Sequence, residues 1–447
     1  MIEEPRMSTI SFCMQPRFGP MSAALNLAKT LRQWGHTVSF FGMSDCQPFV
    51  EPYGFEFVPA YDAWFPKGYI QRWDEKAPSM LRTQLNLRNL VMESKAHFKF
   101  LIKGGHREFQ AVVDQVKPDL FVLDGSHRPT WALLAYKYGV KSVYIHTNMP
   151  LSAAPNSPPV FTSMIPGQNG ASPDRIRRVW RTYFIKRYVN HKLYALFGIG
   201  YDWMILNRKL ARICGYPVHR INTQTMISAL LDFPELILYP QPFEFPDITV
   251  KNRYYVDPCI DFEREEGAFP WEQIDANKKL IYCSLGSIHH NQRFFQTVLE
   301  AVSKEPNWQL VLSVGARLNT EAFSTAPIGS IIVNNAPQLQ LLQKADAMIT
   351  HGGINSIKEC IFFKVPMVVF PITFDQPGAA ARVQYHGLGE VGDIKKVTAE
   401  TLHGMLNNVL SEPSLPARIA SMSEIFKTAE AEQQGAKLLE TLAVQSA

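Results

Sequence analysis

The chain has 447 residues, and 45 Lys and Arg against 40 Asp and Glu leave a formal net charge of only +5. Apolar residues at 46% and charged residues at 19% exclude a disordered chain, and so weak a positive charge argues against a nucleic-acid partner. At roughly 150 residues per domain the length allows three domains or two larger α/β ones, and aromatics at 12% are enough for large cores and an apolar cleft.

The acidic start MIEEPRM has the wrong polarity for a secretory signal, and no run of 18 apolar residues predicts a spanning helix. STISFCM (8–14) reads as a strand. SAALNLAKTLRQW (22–34) has helical spacing at Ala24, Leu27, Ala28 and Leu31, with Gly35 closing the helix, and TVSFFG (37–42) is again a strand. This β-α-β theme returns in DLFVLD (119–124), a helix over 129–138, and KSVYIHT (141–147). Near-continuous apolar strands alternating with helices imply a parallel sheet covered on both faces.

Residues 147–172 are rich in Pro, Ser and Asn and predict a long loop, followed by a helical region over 173–215. From Arg175 to Tyr201 there are seven Lys/Arg, seven aromatics and no acid. That bias fits a solvated helix with an aromatic core stripe, or a surface that meets an apolar acceptor or an anionic membrane. Five prolines between 240 and 270, with Asp261, Glu263, Glu265 and Glu266, predict an interdomain connection. Beyond it strands are expected at 279–286, 309–315, 330–335, 346–350 and 366–370, and helices at 415–428 and 430–444. The architecture expected is two doubly wound Rossmann-like halves: residues 1–245, a linker over 246–270, and 271–447, with the last helices packing back on the first domain. Cysteines 13, 46, 214, 259, 283 and 360 are too scattered for a disulfide framework, which predicts buried free thiols in a cytoplasmic protein.

Several familiar sites are missing. QPRFGPMSAA after the first strand is not G-x-G-x-x-G, and neither G-x-x-x-x-G-K-S/T, G-x-S-x-G nor Asp-x-Asp occurs. The informative stretch is APQLQLLQKADAMITHGGINSIKECIFFKVPMVVFPITFDQ (336–376). Its DAMIT strand ends at His351, Gly352 and Gly353 permit close backbone approach, and Asn355 and Ser356 open a helix whose N-terminus suits a phosphate. Ser356 and Glu359 also fit an ordinary capping box.

In its spacing this segment resembles the donor-binding signature of the family-1, UDP-sugar-dependent glycosyltransferases of GT-B fold. His351, Gly352, Gly353, Asn355, Ser356, Glu359, Pro366, Pro371, Asp375 and Gln376 fall in register with it. The N-L-A-K-x-L helix and the P-P-V-F loop (158–161) look most like bacterial carotenoid and macrolide glucosyltransferases. The resemblance implies that Gln338 contacts the nucleobase, that Ser287, His351, Gly353, Asn355 and Ser356 hold the diphosphate, and that Glu359 accepts from the ribose. It also implies that Asp375 and Gln376 bind hydroxyls of a glucose-like sugar. Two departures stand out. Asn334-Asn335-Ala336 lies where many members carry a base-stacking Trp, leaving uracil or thymine open, and Pro20 stands where the family has its general-base His.

Asp124 ends its strand where the family's base-orienting Asp lies; a cap or turn role is the plainer reading. With Pro20 unable to take a proton, three routes stay open: Asp124 as the base, His127 or His146 moving in, or an acceptor already acidic. The expected function is inverting transfer of a hexose, glucose above others, from a nucleoside diphosphate sugar (UDP-glucose) to an apolar small molecule, with no metal or further cofactor. The rival is a nucleotide-sugar-binding protein without transfer activity. The aromatic stretch 61–73 and the 147–203 region are expected to shape the acceptor pocket or simply to pack, and peripheral membrane contact through 175–203 stays open.

Overall fold

The computed structural model describes residues 7–75, 92, 95–125, 129–168, 170–196, 203–227, 229–231, 233–286, 289–323 and 326–444. The first sheet contains β1 (Thr9–Cys13), β2 (Thr37–Gly42), β3 (Glu56–Pro59), β4 (Leu120–Asp124) and β5 (Lys141–His146). A small antiparallel pair, β6 (Ile221–Asn222) and β7 (Ala229–Leu230), stands apart from it. β8 (Glu235–Ile237) and β9 (Arg253–Tyr255) complete the sheet in the order β3-β2-β1-β4-β5-β8-β9, with parallel pairing throughout. Every residue of β4 is buried, as expected of a strand covered by helices on both faces.

β9 lies inside 246–270, the stretch expected to link the domains. Its Arg253 guanidinium grips Glu235 on β8 at 2.8 and 2.9 Å, so the first sheet gains its edge strand from that segment and the true connection is shorter. The second sheet holds β10 (Lys279–Ser284), β11 (Trp308–Ser313), β12 (Ile331–Val333), β13 (Ala347–Thr350), β14 (Met367–Val369) and β15 (Gly389–Val391). It runs β12-β11-β10-β13-β14-β15, again all parallel.

In each sheet the chain starts near the middle, builds outward on one side, then returns to build on the other. The reversal falls between β1 and β4 in the first sheet and between β10 and β13 in the second. The helices on either side of such a reversal leave in opposite directions, opening a crevice at the carboxyl ends of the strands. Both crevices face the same cleft, where one apolar core runs across: Met149, Val160, Tyr239 and Phe243 pack with Ile354, Val369, Ala379 and Phe426.

The last two helices tie the halves together. Leu415–Glu432 packs on Ile354–Phe362, and Gln434–Val444 buries Ala436, Leu439 and Ala443 beside Leu27 and Leu31 of helix Phe18–Gln33. The break between them falls at Gln433, later than expected, where a left-handed residue (φ 51°) ends the first helix.

Candidate active site

The second crevice lies where β13 gives way to the turn His351–Gly353 and helix Ile354–Phe362. Gly352 is left-handed (φ +81°), and a Cβ there would come within 2.7 Å of Val369 Cγ1. No side chain caps the helix, so its first N–H groups stay available for an anion. The His351 ring is wedged between Gly286 and Gly353, where a Cβ on either would approach it to 2.7 Å. Among the described residues, His351 Nδ1 and Asn355 Oδ1 are buried without hydrogen-bond partners. Desolvation, then neighbouring His289, hold the His351 pKa down to about 3. The imidazole is therefore neutral near pH 7 and offers a hydrogen bond rather than a charge.

Glu359 is not part of a capping box. Its carboxylate accepts from Arg264 Nη1 at 2.6 Å, from Arg264 Nη2 at 3.4 Å and from Gln338 Nε2 at 2.5 Å. Gln338 also reaches Ser356 Oγ at 3.4 Å, while Tyr282 donates its hydroxyl to Gln338 Oε1 at 3.3 Å. Arg264 is further held by Glu266, whose carboxylate accepts the Leu339 and Gln340 N–H groups. Its guanidinium lies 5.5 Å from the Phe18 ring, bringing the first domain over this corner. A cavity of about 540 Å³ opens beside it, lined by Phe262, Arg264, Leu339 and Phe363.

Asp375 and Gln376 start helix Gln376–Tyr385. Asp375 accepts the backbone N–H of Met149, from the first domain, at 2.8 Å, and burial raises its carboxyl to about 6. Gln376 Oε1 accepts the N–H groups of Ile372 and Thr373 at 2.9 Å, which turns its amide nitrogen toward His289 Nε2 at 3.1 Å. Two residues on, the Gly378 N–H bonds to the Val160 carbonyl at 2.7 Å, so the 158–161 loop touches helix Gln376–Tyr385. His351, Gly353, Asn355, Ser356, Glu359, Gln338, Asp375 and Gln376 thus gather along one wall, whereas Ser287 lies outside the described residues.

Across the cleft, Asp124 ends β4 fully buried, and its carboxylate accepts the Gln15 N–H from the turn after β1 at 3.3 Å. Pro20 is the third residue of helix Phe18–Gln33. The first bond of that helix runs from Met21 N–H to Arg17 C=O, so the missing donor of Pro20 weakens nothing. A Cβ on Gly19 would lie 2.8 Å from Asn355 Nδ2, so the walls meet there.

His127 lies outside the described residues. His146 sits over Gly125, with Nε2 3.8 Å from Glu235 and no hydrogen-bond partner, and burial lowers its pKa. That nitrogen is sealed from solvent, as the Asp124 side chain is. Of the aromatic stretch 61–73, Tyr61, Trp64 and Phe65 go into packing against His97, Phe100 and Trp131. In the 147–203 region, a cavity of about 670 Å³ lies between Phe161, Arg175, Val179 and Tyr183.

Arg264, His289 and the Met149 N–H were not foreseen. A hint existed in Arg264, the one cation of the run Asp261–Glu266, and in the His289–His290 pair after the C-S-L-G-S turn. Met149 contributes only its backbone, which no side-chain pattern reveals.

The chain matches the family described as UDP-glucoronosyl and UDP-glucosyl transferase over residues 130–432. It is 32% identical over 187 residues to the uncharacterized UDP-glucosyltransferase YojK of Bacillus subtilis (strain 168), covering 41% of this chain and 46% of that protein. The chain therefore spans about half the length of that relative. To zeaxanthin glucosyltransferase of Pantoea ananas it is 23% identical over 446 residues, 97% of this chain and 96% of the other. The solved structure of the glycotransferase of kitacinnamycin aligns with a TM-score of 0.68 at 22% identity, over 98% of this chain and 99% of that one. The GT-B arrangement expected from the sequence is thus the fold observed.

Proposed function

The chain belongs to the UDP-glucoronosyl and UDP-glucosyl transferase family, and from that premise we propose that it transfers a hexose, glucose above others, from a nucleoside diphosphate sugar to an apolar small-molecule acceptor. The observation that carries this reading is the buried, unpartnered His351 Nδ1 beside the uncapped start of helix Ile354–Phe362. Buried polar groups without partners are rare and expensive, and a ligand that pairs with them relieves the cost. A diphosphate fits: it is met by free N–H groups, by the helix dipole and by a neutral imidazole.

In this reading the donor diphosphate lies against 351–356, its ribose against Glu359 and its sugar against Asp375 and Gln376. The acceptor oxygen attacks the anomeric carbon from the first-domain side, inverting the configuration as the diphosphate leaves toward the helix start. Negative charge developing on the leaving oxygen is stabilised by donors already in place, so the step asks for no metal. Asp124 takes the acceptor proton directly, or the acceptor hydroxyl or carboxyl is acidic enough to lose it unaided. UDP-glucose is the donor proposed, in a cytoplasmic setting.

Pro20 and the burial of Asp124 favour a second reading, a nucleotide-sugar-binding protein without transfer. Mixing the protein with UDP-glucose and following UDP release, alone and with phenolic or polyene alcohol acceptors, separates the two. Release that depends on acceptor supports the transferase. Tight donor binding with no release for any acceptor leaves only the second reading.

A further inference from the structure

Helix Pro173–Leu196 packs with one face only. Ile176 and Trp180 are buried, the Trp180 indole N–H bonds to the Ser157 carbonyl at 2.8 Å, and the Trp180 and Phe184 rings stack at 5.3 Å. The opposite face stands in solvent and mixes apolar with basic side chains. Of the fifteen large apolar side chains exposed among the described residues, five belong to this helix: Ile185, Tyr188, Val189, Leu193 and Leu196, the last 78% exposed. At about 100° per residue, Ile185, Val189 and Leu196 share one narrow arc, with Tyr188 and Leu193 at its flanks. Arg178, Arg181 and Lys192, also exposed, fall in the same sector, and from Arg175 to Leu196 there are seven Lys/Arg and no acid.

An outward stripe that carries both exposed apolar side chains and Arg and Lys suits a membrane interface. Apolar side chains sink toward the acyl chains while Arg and Lys stems reach back to the headgroups. Charge complementarity selects the partner surface, because the helix carries seven Lys/Arg against one acid, the exposed Asp174 paired with Arg177, and that positive excess gains most against anionic headgroups.

We propose that the outward face of helix Pro173–Leu196 docks this protein on an anionic lipid bilayer, so that its acceptor is a molecule dissolved in that bilayer. The acceptor part rests on the transferase reading above; the docking part does not. The 670 Å³ cavity supports the connection, since Val179 and Tyr183 of this helix and Phe161 line it. Phe161 directly follows Val160, whose carbonyl holds Gly378 of helix Gln376–Tyr385. A molecule leaving the bilayer along this helix therefore enters beside the sugar-binding pair.

The test is vesicle flotation of the full chain with phosphatidylcholine alone and with phosphatidylcholine plus phosphatidylglycerol. Binding is expected only to the anionic vesicles, weakening as salt is raised. Replacing Arg181 and Lys192 by Gln should lower affinity about fivefold per charge. Replacing Ile185, Val189 and Leu196 by Ser should abolish the part that survives high salt. None of these five lines the cavity, so UDP release with a water-soluble phenol should be unchanged in both variants. Vesicle binding without UDP release would keep the docking and remove the transferase reading. No binding to anionic vesicles, or binding indifferent to both sets of substitutions, overturns the proposal. So does a dimer in sedimentation that the Ser variant dissociates, for then the stripe covers a second copy.

Discussion

Asp375→Asn should stabilise the unliganded protein while impairing sugar recognition. Asp375 is buried under the Met149 N–H, and its carboxyl sits at about 6, against about 3.9 for a solvated aspartate. The folded state thus holds this proton more tightly than the unfolded chain does, and ionisation destabilises the fold. The penalty is absent below about pH 4, grows as pH rises toward 6 and is constant above. At about 1.4 kcal/mol per pH unit it reaches roughly 3 kcal/mol as a ceiling. Asn keeps an oxygen for Met149 and never ionises, so at pH 7.5 the variant should be more stable by about 1–3 kcal/mol, a rise of several degrees in Tm. Thermal unfolding followed by tryptophan fluorescence between pH 4 and 8 measures this, and the gap should close toward pH 4. Calorimetry should show UDP affinity kept and the added affinity of UDP-glucose over UDP lost. A variant less stable than wild type at pH 7.5, or a difference independent of pH, would refute the reasoning.

Three further outcomes are expected. Asp124→Asn should lower turnover by about 10²–10⁴-fold with the UDP-glucose Kd unchanged, and unaltered turnover would make Asp124 structural. Glu359→Gln removes the ionised acceptor offered to the ribose and should weaken UDP binding by about 10- to 100-fold in calorimetry, the scale of a hydrogen bond to a charged group. Arg382→Met leaves Glu244, buried between the two domains, with only the Tyr239 hydroxyl and the Phe245 N–H as partners among the described residues. Denaturant unfolding should show a loss of about 3–5 kcal/mol, partly recovered when Glu244→Gln is added.

Local information made much of this molecule legible. Residues 37–42 and 279–284 carry apolar runs that cannot be solvated on either face, so they are strands wherever the rest of the chain goes. The turn from His351 into helix Ile354–Phe362 needs left-handed backbone and close approach at consecutive residues, and glycines at 352 and 353 announce both. The fold class and the turn at 351–353 could be read for that reason: each depends on residues within a few positions of one another.

What stayed hidden depends on residues far apart in the chain. Ser356 and Glu359 read equally well as a helix cap, and only Arg264, 95 residues away, turns the carboxylate into a paired group beside Gln338. The Asp375 carboxyl is raised by burial and partly held back by a backbone N–H 226 residues distant, and Gln376 meets a histidine 87 residues away. Residues 253–255 look like linker from their proline-rich neighbourhood and become a sheet edge because Glu235 offers Arg253 a partner. The near-neutral total charge and the aromatic content were fixed by composition. Where they matter was decided by packing: part of the aromatics filled the first domain, and one basic helix was left with its apolar side in solvent. Periodicity and motif spacing act over a few turns of chain, whereas desolvation, ion pairing and exposure are properties of neighbours that only the folded chain brings together.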